Sequence, residues 1–154
     1  MSIATTTHLN FRGTARQALE FYGSVFQGEV TLATYADFGM PAGLPGADEV
    51  VFGQVENAEG FRLMAYDIPG SDRDGAATAG TTTRQNGMTL TDRSFFQSLR
   101  ADSLDELTPL WDALADGASI IEPLAASPWS PGFGMLTDRF GVTWVLDVRA
   151  AYAG

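Results

Sequence analysis

An internal repeat restricts the fold of this chain more than any other feature of its sequence. ALEFYGSVFQG, from Ala18 to Gly28, and LTPLWDALADG, from Leu107 to Gly117, superimpose at a constant offset, with aromatic on aromatic, apolar on apolar and Gly on Gly. Each stretch has the apolar spacing of an amphipathic helix closed by a glycine. In the first, Ala18, Leu19, Phe21, Tyr22, Val25 and Phe26 make the stripe and Thr14 stands at the N-cap position. In the second, Leu107, Leu110, Trp111 and Leu114 make it, with Ser103 and Glu106 spaced as a capping box.

The flanking segments repeat as well. Thr5 to Phe11 reads as a strand before the first helix, and Glu29 to Tyr35, Val50–Glu56 and Phe61–Asp67 as strands after it, the last two forming a hairpin around Asn57–Gly60. Phe95 to Ala101 precedes the second helix, while Ser119–Ile121, Gly134–Asp138 and Val142–Val148 follow it. The chain therefore reads as an α+β fold of two βαβββ modules, about residues 5–68 and 94–149, in a single domain. A half-barrel of one module cannot close by itself. Two side by side make a curved, mixed, eight-stranded cup with helices on the convex face and a hollow inside.

Strand alternation assigns residues to faces. Leu9, Phe11, Leu63, Ala65, Leu99, Ala101, Trp144 and Leu146 fall beneath the helices. Thr6, His8, Asn10, Arg62, Met64, Tyr66, Phe96, Ser98, Arg100, Val145 and Asp147 fall on the other face, whose mixed character suits a ligand cavity better than a sealed core. The 69–93 stretch joins the modules. It is rich in Gly, Ala and Thr, and Asn86-Gly87 between β-branched residues signals a tight hairpin. A lid, a dimer contact and a plain linker are all compatible with it.

Composition removes several classes of chemistry. Without cysteine there are no disulfides, thiolate nucleophiles or thiolate metal sites. All nine basic residues are Arg, which excludes Schiff-base and phosphate-loop lysines. His8 is the sole histidine, so no multi-histidine metal site can form. A net charge of −10 disfavours nucleic acid and favours a cationic ligand, and no apolar run is long enough to cross a bilayer. The opening MSIATTTHLNF has no basic stretch followed by an apolar core, so the cytoplasm is the expected location.

Within the expected cavity, His8 is either a general base or a hydrogen-bonded cavity histidine. Tyr66 and Tyr35 either donate to a ligand oxygen or pack and bond locally. Arg62 and Arg100 either clamp an anion or pair with carboxylates. Asp147 either titrates at the cup mouth or is a strand-end surface charge. In SPWSPGFG, two prolines stiffen a loop presenting Trp129 beside Phe133 and Met135, as a pocket rim or as a plug of the open edge.

HLNFRGTARQALEFYGSVFQGE, WDALADGASIIEPL and GMLTDRFGVTWVLDV, in this order, resemble the PhnB-like branch of the vicinal oxygen chelate superfamily, which includes glyoxalase, bleomycin-resistance and extradiol-dioxygenase proteins. The resemblance runs from about Thr5 to Val148. It implies the paired-module cup, usually as a homodimer, and a small-molecule ligand. Metal-dependent members hold a divalent ion at four inward positions, which fall here on Thr6, Met64, Phe96 and Val145, with His8 an alternative to Thr6. These are poor ligands for such an ion, so no metal and no other cofactor is expected. Some relatives carry the name demethylubiquinone methyltransferase, yet no Gly-rich strand–turn–helix suited to S-adenosylmethionine is present.

Two functions stay open. One is a metal-independent glyoxalase-like enzyme of lyase, isomerase or dioxygenase type on a small oxygenated substrate, with His8 and Tyr66 catalytic and Thr6, Tyr35, Met64, Phe96, Arg62, Arg100, Trp129, Phe133 and Val145 around the ligand. The other is a non-catalytic protein that sequesters a cationic or aromatic drug or metabolite, as bleomycin-resistance relatives do.

Overall fold

The computed structural model describes residues 2–70, 81–128 and 130–149. They belong to two compact units, Met1–Ala76 and Ala77–Gly154. In the first unit, β1 (Thr7–Phe11), α1 (Ala15–Val25), β2 (Glu29–Thr34), β3 (Val50–Glu56) and β4 (Arg62–Asp67) form one sheet and one helix. The strand order is β1-β4-β3-β2, with β1 parallel to β4 and the other pairs antiparallel. Alternation does what the sequence predicts: Leu9, Phe11, Leu63 and Ala65 are buried, and His8, Asn10 and Arg62 are exposed. Onto the buried face α1 lays Ala15, Ala18, Leu19 and Tyr22. A Cβ at Gly53 would come within 2.3 Å of Leu19 Cδ1 and 2.9 Å of the Ala65 carbonyl oxygen, so only glycine lets helix and sheet meet there.

The second unit repeats this plan after a short hairpin, β5 (Thr83–Gln85) and β6 (Met88–Leu90). Asn86 and Gly87 have φ of 51° and 76°, the positive values that a two-residue hairpin of this twist requires. Then come β7 (Gln97–Ala101), α2 (Leu104–Ala115), β8 (Ser119–Ser127), β9 (Ser130–Thr137) and β10 (Thr143–Val148), in the order β7-β10-β9-β8 with β7 parallel to β10. Trp144, Leu146, Leu107 and Leu114 are buried, whereas Leu99, Ala101, Leu110 and Trp111 are half-buried. The protein is thus α+β, with ten strands, two α-helices and a short 3-10 helix (Ala36–Phe38) among the described residues, and no helix there is long and apolar enough to cross a membrane.

Three sequence expectations need correction. β8 does not stop at Ile121, nor does β9 begin at Gly134: Ser127 pairs with Ser130, so the two strands run on into the stretch read as a loop. Pro123 is tolerated because β8 is the edge strand, Pro131 because it lies at the start of β9, and three register shifts absorb the misfit. The third correction concerns Thr14, whose side chain makes no capping bond. The carboxylate of Asp67, at the end of β4, takes that role: Oδ1 accepts from Gly13 N at 2.8 Å and Ala15 N at 3.0 Å, and Oδ2 accepts from Val50 N at 2.9 Å.

The second unit caps its helix locally. Ser103 Oγ accepts from Glu106 N at 3.2 Å, and Glu106 Oε2 accepts from Asp102 N at 2.9 Å, one residue before the expected N-cap amide. Asp67 lies opposite Phe11, and the residue opposite the matching Ala101 is Val148, which packs against Gly132.

The turns before the last strands are built alike. Asn57 Oδ1 accepts from Glu59 N and Phe61 N, both at 3.0 Å, and Gly60 has φ 98°. Asp138 Oδ1 accepts from Phe140 N at 2.8 Å and Val142 N at 3.1 Å, Oδ2 accepts from Trp144 Nε1 at 2.8 Å, and Gly141 has φ 87°. The DRFGVTW segment is therefore a self-bonded turn that also fixes the buried indole.

Asp67→Asn replaces one acceptor oxygen with an amide that faces an N–H. We expect a loss of about 2–3 kcal/mol in urea unfolding, against a change near zero for Thr14→Ala. Equal effects of the two substitutions would show that the carboxylate does not hold the helix start.

Candidate functional site

The face of the first sheet turned away from α1 carries most of the chemistry-bearing side chains expected there. Register places His8 beside Met64 and Asn10 beside Tyr66, with Gln54 on the far side of Met64. His8 Nδ1 lies 3.0 Å from Asn10 Oδ1. With that amide oxygen accepting, Nδ1 carries the proton and Nε2 presents its lone pair. The His8 and Tyr66 rings meet edge to face, 5.2 Å between centres, which fixes the tilt of the imidazole. Among the described residues, neither His8 Nε2 nor the Tyr66 hydroxyl has a hydrogen-bond partner. On a strand, residues two apart point the same way, so the His8–Asn10 bond follows directly from β1 being extended.

Other candidates on this unit are tied down. Arg62 Nη2 donates to Gln54 Oε1 at 3.1 Å, and Gln54 Nε2 to Glu56 Oε1 at 3.2 Å, a polar row ending in a carboxylate. Tyr35 donates its hydroxyl hydrogen to the Asp67 carbonyl at 2.7 Å. Burial first, and then the nearby Tyr66, Asp67 and Glu49, push its phenol above the usual tyrosine value. Thr6 is half-buried just ahead of β1.

On the second unit, Val145 lies between Ser98 and Met135, and Asp147 between Arg100 and Phe133. Arg100 and Asp147 form an ion pair at 3.1 Å, leaving that guanidinium committed to a carboxylate. Phe96 is half-buried just before β7. Trp129 lies outside the described residues, as do residues 71–80 of the 69–93 stretch. The residue that sequence reasoning missed is Arg84, on β5, whose guanidinium lies 4.8 Å from the centre of the Phe133 ring. The Asn-Gly turn announced the hairpin, but nothing local announced where the hairpin docks.

The positions aligned with the superfamily's metal ligands carry weak donors for a divalent ion. The four aligned positions offer a hydroxyl, a thioether, a phenyl ring and an isopropyl group, and the strand neighbours of Met64 and Val145 are the His8 imidazole, the Gln54 amide, the Ser98 hydroxyl and the Met135 thioether. Among the described residues, no group of three or more His, Cys, Asp or Glu side chains could hold a metal ion.

A model of the Glyoxalase/Bleomycin resistance protein/Dioxygenase superfamily matches residues 7–146. No curated protein matches in sequence. Among solved structures, protein PA1353 from Pseudomonas aeruginosa is 29% identical with a TM-score of 0.73, over 96% of this chain and 98% of that one. A Bacillus cereus PhnB protein, titled a putative 3-demethylubiquinone-9 3-methyltransferase, is 23% identical with a TM-score of 0.67, over 96% of this chain and 100% of the other. A glyoxylase/bleomycin resistance protein/dioxygenase domain from Frankia sp. EAN1pec shares the fold at 15% identity and a TM-score of 0.60, over 99% and 95% of the two chains.

The raised phenol of Tyr35 gives a signed expectation. Stability owed to its neutral hydroxyl is complete below the unfolded value of about 10 and is lost as pH rises through the higher folded value. Tyr35→Phe should cost about 1 kcal/mol at neutral pH, with the gap to the unsubstituted protein closing only in strong alkali. A gap already closed at about pH 9 would contradict this assignment.

Proposed function

The chain belongs to the Glyoxalase/Bleomycin resistance protein/Dioxygenase superfamily, and from that premise we propose that it acts on a small oxygenated organic molecule by proton transfer, with His8 as the base and no divalent metal at the superfamily position. The observation that carries this reading is the His8–Asn10 bond, which leaves Nε2 as the acceptor on an exposed ring. Nε2 removes a proton from carbon next to a carbonyl, and the Tyr66 hydroxyl donates to the oxygen on which charge develops. Met64 supplies the apolar surface beside the reacting centre. This is isomerase- or lyase-type chemistry of the kind the superfamily performs with a Lewis acid, here with hydrogen-bond donors in its place. Homodimeric assembly and a cytoplasmic setting belong to the same reading, by resemblance to the PhnB-like branch.

The test is solvent-deuterium incorporation, followed by NMR, into a panel of small α-hydroxyketones and 1,2-dicarbonyl compounds. We expect exchange at the carbon next to the carbonyl, unaffected by chelator, and lowered about 10²–10⁴-fold in His8→Ala and measurably in Tyr66→Phe. Exchange that persists in both variants would remove these residues as catalysts. Binding without exchange for every compound would assign the protein to the sequestering class instead.

A further inference from the structure

The β5–β6 hairpin delivers a cation to the open face of the second sheet. Phe133 and Met135 lie opposite Asp147 and Val145 in register, on the face turned away from α2. Arg84 lies over Phe133, and Thr89, across the hairpin from Arg84, reaches Met135 Sδ at 3.7 Å. Arg84 Nη1 donates to the Gly87 carbonyl at 3.1 Å and to Thr89 Oγ1 at 2.9 Å, which uses both of its hydrogens and fixes the guanidinium plane. Nε is sealed from solvent and has no acceptor.

Among the described residues no carboxylate pairs with Arg84, whereas Arg93, Arg100, Arg139 and Arg149 each lie beside one. Arg12, Arg16 and Arg62 have no carboxylate at ion-pair distance among the described residues either, and what sets Arg84 apart is its rigid hold and its buried Nε without an acceptor. The unused edge, Nε–H with the adjacent Nη2–H, presents the two parallel donors that match the two oxygens of a carboxylate. The aromatic ring beneath it keeps out water and strengthens any ion pair formed there.

We propose that Arg84 is the anchor of an anion subsite, receiving the carboxylate of a small organic acid on the Nε/Nη2 edge, with the hairpin as the strap that holds it over the sheet. This reverses the ligand charge that the net charge of the chain suggests. The subsite stands on residues of the second unit alone and does not depend on proton transfer by His8.

The experiment is a titration of the full chain with benzoate, followed by the ¹⁵N resonance of Arg84 Nε–H, assigned through its own side-chain carbons. Benzamide and benzylammonium serve as neutral and cationic controls. We expect the Nε–H signal to shift and saturate with benzoate and to stay put with the controls. Arg84→Lys, which keeps the charge and loses the paired donors, should bind benzoate at least tenfold more weakly. An Nε–H signal that ignores benzoate, or moves equally with benzamide, overturns the proposal, as does undiminished binding by Arg84→Lys. The resonance of the unsubstituted protein decides the matter even where a variant loosens the hairpin. No turnover is involved, so failure of the His8 reading leaves this result standing.

Discussion

The first unit hangs on one buried carboxylate. Asp67 is 1% exposed, and its two oxygens receive three backbone N–H groups from two separate segments, the start of α1 and the start of β3. Its position places negative charge at the positive end of a helix, and its own carbonyl receives the Tyr35 hydroxyl. A buried acceptor with this many donors fixes where the helix begins, how β3 enters the sheet and how the 35–49 segment folds back. The open face of β1 and β4 inherits that order, because His8 and Asn10 are aimed by a strand whose last residue pairs with Asp67.

Much of this was legible in the sequence because it is local. Alternation in HLNF and RLMAYD divides buried from exposed residues, the closing glycines mark the helix ends, and the Ser103–Glu106 spacing marks a cap that forms. The failures share a cause. Thr14 has the right residue type at the right place, yet the helix start is held by a carboxylate 52 residues from Ala15, which accepts the Gly13 and Ala15 amides on either side of Thr14. Pro128 and Pro131 read as the marks of a loop because spacing does not reveal which strands continue up to a tight turn.

The same division governs the candidate site. That His8 and Asn10 share a side of one strand follows from a period of two, and that Tyr66 joins them follows from the parallel pairing of first and last strands. The commitment of Arg100 to Asp147 and of Arg62 to Gln54 depends on register, which only the assembled sheet defines. Arg84 sits in a Thr-rich stretch where a mere linker was as good a reading as a lid, and its value comes wholly from what the hairpin docks on.

The two ways of starting a helix carry a consequence for how the halves come into being. In the second unit the capping groups of α2 lie within one turn of it, so its first coil of hydrogen bonds can form from a short piece of chain. In the first, the cap arrives only after the intervening residues have been gathered in and the first and last strands of the unit have met, at the entropic cost of closing a long loop. A molecule built from two copies of one plan thereby acquires a preferred sequence of events: an early half that nucleates from neighbours, and a late half whose helix waits on distant partners.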